Sequence, residues 1–128
     1  MAYNIKISEV IVTITTTATI ATTTPAVCIA PLSVEQQVKE YFSDIPIMAE
    51  IARCESGFRH YLEDGEVIRG HINPKDVGVM QINTYYHGET ATELGLDLLD
   101  FKQNMEYARF LHDRDGTQPW FWSEHCWG

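Results

Sequence analysis

The 128-residue chain is 45% apolar and 21% charged, a balance that excludes a wholly disordered polypeptide and allows one domain with its own core. Its 18 acidic residues outnumber 9 basic ones, and the basic residues are scattered rather than clustered, which argues against nucleic-acid binding. No apolar run reaches the roughly 20 residues needed to cross a bilayer, and Cys28, Cys54 and Cys126 form no C-x-x-C or Cys/His cluster of the kind that holds zinc.

Residues 1–31 differ from the rest. Ile5 to Ile20 is β-branched and Thr-rich, and Thr22-Thr23-Thr24-Pro25 closes it. This composition is expected of a poorly packed leader, anchor or linker, although Lys6 is its only cation and Glu9 interrupts it. The competing reading is a packed strand. The folded domain is expected over residues 32–128.

Ser33-Val34-Glu35-Gln36 fits a capping box, and Val34, Val38, Tyr41 and Phe42 line one face of the helix that follows. Ser43-Asp44 offers a second cap, Pro46 suits a first helical turn, and Gly57 lets the chain leave the second helix near Glu55. Within that helix Ile47, Ile51 and Glu55 follow at i, i+4 steps. A carboxyl therefore falls on the face that otherwise points at the core. Burial and the carbonyls of a helix C-terminus both disfavour its ionised form, which is what a general acid near neutral pH needs.

Phe58 to Arg69 reads as a β-hairpin with an Asp64-Gly65 turn, and Asn73-Pro74 marks a further turn. Asp76 to Asn83 fits a strand or the start of a helix. Glu89 to Leu94 reads as a short helix ended by Gly95. Asp100 and Gln103 then cap a longer helix whose inner face holds Phe101, Met105, Ala108 and Leu111, and Gly116 stops it. The tail from Pro119 to Trp127 is dense in aromatics. The five histidines show no ligand or triad spacing and are assigned no catalytic work.

Cys54-Glu55-Ser56-Gly57-Phe58, then Gly78-Val79-Met80-Gln81-Ile82-Asn83, then Asn104-Met105-Glu106-Tyr107-Ala108 resemble the ordered motifs of lysozyme-like lytic transglycosylases. The resemblance spans about Ser33 to Trp127. The Ala-Tyr-Asn-Ala-Gly motif common in that family is absent, with Asn104-x-x-Tyr107-Ala108 standing nearby. The resemblance implies a mainly α, α+β fold of lysozyme type, with a small β-hairpin beside an active-site cleft. It also implies cleavage of the β-1,4 bond between N-acetylmuramic acid and N-acetylglucosamine in peptidoglycan, with Glu55 as the single catalytic acid.

On that reading Ser56 and Gln81 belong to the substrate-binding set, Ser56 either orienting the Glu55 carboxyl or simply continuing the cap, and Gln81 bonding a sugar N-acetyl group or Glu55. Asn83 belongs to the same set, Tyr107 lines the cleft or is a half-buried core residue, and Tyr85, Tyr86 and Trp120 offer rings for stacking unless the aromatic tail serves as a lid on the core. Asp76 is the best second carboxylate should the enzyme hydrolyse, since a hydrolytic glycosidase needs two. Two alternatives stay open, a hydrolytic lysozyme using the same site and a non-catalytic glycan-binding module. Cys54 beside the acid and Cys126 in the tail are expected to form a disulfide, leaving Cys28 unpaired, and such a bond fits an extracytoplasmic setting. Peptidoglycan strands are the expected partner of a monomer that needs no metal or cofactor.

Overall fold

The computed structural model describes residues 11–128, so the first ten residues of the expected leader lie outside the described part. From residue 11 to 32 the backbone forms no helix or strand, and Ile11, Ile14, Ile20 and Ile29 are all more than 80% exposed. The first fully buried side chain is Val38.

Helix α1, Val34–Tyr41, starts on the expected capping box. Ser33 Oγ accepts the Gln36 N–H at 3.2 Å, and Gln36 Oε1 accepts the Ser33 N–H at 2.9 Å. Helix α2, Ile47–Ser56, begins behind Pro46 without a side-chain cap. The cap expected from Ser43-Asp44 is not made, because Asp44 instead receives both Nη1 and Nη2 of Arg109, at 2.8 and 3.0 Å. A two-pronged, charge-assisted pair is stronger than one neutral cap bond. Met48, Ile51 and Ala52 bury one face of α2 completely.

The expected hairpin over 58–69 survives only as a narrow loop. Gly65, at φ +86°, turns the chain, and Tyr61 and Val67 form a single antiparallel bridge. Tyr61 and Leu62 remain about half exposed, so little burial rewards a longer ladder there. The returning limb pairs on its other side instead: Gly78 N–H donates to Ile68 O at 3.0 Å and Gly70 N–H to Asp76 O at 2.8 Å. The ladder proper is antiparallel and joins β1, Asp76–Val77, to β2, Ile82–Asn83, with Asp76 opposite Asn83 and Val77 opposite Ile82.

Helix α3 spans Thr84–Glu93, five residues earlier than the expected start at Glu89, because Asn83 Oδ1 accepts the N–H groups of Tyr85 and Tyr86. Helix α4, Phe101–Asp115, is capped by Asp100 as expected and ends at Gly116. A 3-10 turn, Gln118–Ser123, leads into the short α5, Glu124–Trp127. Val38, Phe42, Met48, Ile51, Met80 and Leu111 are among the residues that meet in one core. The described residues thus form a mixed helical structure with a small two-stranded antiparallel sheet. The expected Cys54–Cys126 disulfide is formed, with Cα atoms 6.0 Å apart at a sequence separation of 72. No described helix is long and apolar enough to cross a membrane.

Candidate active site

Glu55 occupies the last turn of α2, where Gly57 (φ +62°) and Phe58 (φ +57°) turn the chain sharply away. Glycine takes that conformation without strain, whereas Phe58 holds it against the preference of its side chain. Ser56 fixes the turn: its Oγ donates to Ala52 O at 3.0 Å and accepts the Arg59 N–H at 3.2 Å. It is buried and bonds backbone, not the Glu55 carboxyl, so the orienting role expected of it is corrected.

The group that does hold Glu55 comes from the tail. Ser123 Oγ lies 2.5 Å from Glu55 Oε1 and 3.0 Å from Trp120 O, and it accepts Trp127 Nε1–H at 2.8 Å. The disulfide explains the meeting, since Cys54 adjoins Glu55 and Cys126 lies one helical turn beyond Ser123. That spacing was present in the sequence, and it was the signal by which Ser123 could have been found. The Glu55 carboxyl is pushed above the ordinary glutamate range. Burial is the main cause, the Asp76 carboxylate adds to it, and the Ser123 hydrogen bond opposes it.

Glu55 and Gln81 line both of two cavities. The first, of about 330 Å³, is also lined by Asn73, Asp76, Asn83, Tyr86, His87, Trp120 and Trp122. The second, of about 470 Å³, is lined by Ser56, Arg59, Leu62, Glu66, Arg69 and His71 among others. Gln81 is the one other non-glycine residue with positive φ among those described, at +49°. Its Nε2 donates to Gly78 O at 2.9 Å, and its Oε1 has no protein donor among the described residues.

The turn that presents Gln81 is built from buried polar groups. Asn104 Oδ1 accepts the Met80 N–H at 3.0 Å, while its Nδ2 donates to Val77 O and Leu98 O at 3.0 and 2.8 Å. His60 Nδ1 accepts the Val79 N–H at 3.0 Å and Nε2 faces Leu99 O at 2.8 Å, so the imidazole is neutral with its proton on Nε2. Burial lowers the His60 pKa, which favours that neutral form. Gly78, at φ +75°, packs so closely that a Cβ there would sit 2.6 Å from Asn104 Nδ2 and 2.7 Å from His60 Cε1. The Gly-Val-Met-Gln spacing therefore has a steric origin, and the structural roles of His60 and Asn104 escaped the sequence reading because both depend on long-range partners.

Among the other expected residues, Asp76 and Asn83 do line the first cavity, and Asn83 Nδ2 donates to Asp76 Oδ1 at 2.8 Å. Asn83 also spends its oxygen on capping α3. Tyr85 is exposed but does not line either cavity; its neighbour Tyr86 does. Tyr107 is fully buried with its hydroxyl 3.1 Å from His87 Nδ1, so it supports the wall and does not line the cleft. Trp120 is only 4% exposed and donates Nε1–H to Met80 O at 3.0 Å, which makes it floor rather than platform. The exposed ring is Trp122, 89% exposed at the first cavity. Trp122 and His87 were not among the expected site residues; a half-buried histidine on a helix beside the cleft gives no periodic signal. Among the described residues no group of three or more His, Cys, Asp or Glu is placed to hold a metal ion. No family model, characterised protein or solved structure matches the chain.

Proposed function

We propose that the protein is a lytic transglycosylase with a lysozyme-like fold, which cuts the β-1,4 bond between N-acetylmuramic acid and N-acetylglucosamine in peptidoglycan. The observation that carries this reading is Glu55: a half-buried carboxyl with a raised pKa that lines both cavities and is hydrogen-bonded by the Ser123 hydroxyl. The glycan lies through both cavities with the scissile oxygen at Glu55. Glu55 donates its proton to that oxygen as the C1–O4 bond breaks, and the substrate N-acetyl group steadies the positive charge that develops at C1. The C6 hydroxyl of the same sugar then attacks C1. Its proton passes to the Glu55 carboxylate, which returns the acid and leaves a 1,6-anhydro end with no water consumed.

Gln81 supports the reading with an amide oxygen free to accept a substrate N–H, and Trp122 and Tyr86 with exposed rings for sugar faces. The disulfide favours action outside the cytoplasm, where such bonds persist. A hydrolytic reading has one observation in its favour, Asp76 in the same cavity as Glu55. Asp76 is otherwise engaged by Asn83 across the β1–β2 ladder, which gives it a structural reason to be there.

Mass spectrometry of digested peptidoglycan tests the proposal. Anhydro ends are expected, and Glu55→Gln should lower their release by at least about 100-fold, the usual contribution of a general acid. Reducing ends lost on Asp76→Asn would point to hydrolysis instead, and glycan binding without any cleavage by the unmodified protein would point to a binding module.

A further inference from the structure

Building on that reading of the cleft, we infer that the second cavity is a carboxylate-binding subsite in which Arg59 and Arg69 recognise acidic groups carried by the glycan. Three of the five arginines are ion-paired: Arg53 with Glu50, Arg109 with Asp44 and Arg114 with Asp115. The two that have no carboxylate within ion-pair distance among the described residues both line this one cavity. In a chain of net charge -9, two solvent-exposed guanidiniums without ion-pair partners on one concavity offer positive charge to an anionic ligand.

Each guanidinium is steadied by one backbone carbonyl. Arg59 Nε donates to Ser56 O at 3.1 Å, and Arg69 Nη1 donates to Pro74 O at 3.3 Å. The remaining N–H groups have no acceptor among the described residues, and a guanidinium edge matches a carboxylate in two parallel bonds. Glu66 also lines this cavity but pairs with neither arginine. The first cavity holds Asp76 and no lysine or arginine, so it disfavours anions. The cleft is therefore electrically lopsided about Glu55, and a strand enters with its acidic substituents on the arginine side. Peptidoglycan offers that chemistry from two sources, the lactyl carboxylate of bare muramic acid and the carboxylates of the peptide stem.

Calorimetric titration of the Glu55→Gln protein, which removes turnover, tests the inference with three probes: chitohexaose, bare glycan strands and stem-bearing strands. Adding Arg59→Gln and Arg69→Gln should weaken at least one carboxylate-bearing strand about ten-fold more than it weakens chitohexaose. Raising salt should shrink the gap. The strand that loses affinity identifies the source of the carboxylate. Lysine at both positions should restore part of the loss, because it returns the charge without the fork. Equal losses on all three probes, or none, would overturn the inference; thermal melting of each variant separates such losses from unfolding. Absence of fragments when the unmodified protein digests the same strands would sink the cleavage reading alone, since the binding comparison needs no turnover.

Discussion

Glu55 holds its proton to higher pH than an ordinary glutamate, and the sign of that shift has two consequences. Between the unfolded and folded pKa values the native state binds more protons, so stability contributed by this site is present at low pH and falls as pH rises through the folded pKa. Glu55→Gln should therefore be more stable than the parent above that window and no different well below it, as thermal melts at several pH values would show. On the proposed function the same proton is the one delivered to the glycosidic oxygen, so cleavage should fall on the alkaline side as Glu55 ionises. Ser123→Ala removes the bond that favours the ionised form, so its alkaline limb should move to higher pH in a pH–rate profile. An unmoved limb would mean that another group sets it.

The element that presents the site is the turn between β1 and β2, and it depends on side chains far away in sequence. Asn104→Ala would leave Met80 N–H, Val77 O and Leu98 O without partners in a buried place, at a cost of roughly 3 kcal/mol or more. Gly78→Ala combines a positive φ with a Cβ 2.6 Å from Asn104 Nδ2 and should lose a similar amount, roughly 2–4 kcal/mol. Urea unfolding measures both, and a variant with unchanged midpoint would contradict this account of the turn. Such couplings mark the limit of sequence reading here. The capping box at Ser33, the Gly57 and Gly116 helix ends and the inner face of α4 were legible because each signal lies within a turn or two of chain. The choice between cleft and core for Tyr107 and Trp120 was not, because helical spacing gives the direction of a side chain and not what lies beyond it. Asn83 was read for chemistry when its local effect was to start a helix.

At the scale of the whole molecule, the Cys54–Cys126 bond closes a loop between residues 72 apart and pins the tail to helix α2. In the chain-entropy view its loss costs about 4 kcal/mol. Cys54→Ser with Cys126→Ser should lower the melting temperature markedly and, because Ser123 rides on the same tail, should weaken cleavage even where the protein remains folded. Loss of stability with full activity in the folded fraction would separate the two roles. This pairing was legible from two residue positions and brings Ser123 near Glu55, whereas the hydrogen bond between them was not legible, because it also depends on how the 3-10 turn packs through Trp120.

Ser123 has one hydroxyl hydrogen and two acceptors within reach, Glu55 Oε1 and Trp120 O, while Trp127 occupies a lone pair. When Glu55 is ionised the hydrogen points to the carboxylate. When Glu55 is protonated, the carboxylic acid can donate to Ser123 and the hydroxyl can swing to the Trp120 carbonyl. Ser123 then makes two hydrogen bonds when Glu55 is ionised and three when it is protonated, and it keeps a bond to the carboxyl in both states, so the acid can give up and recover its proton with a rotation of one hydroxyl and no movement of the backbone.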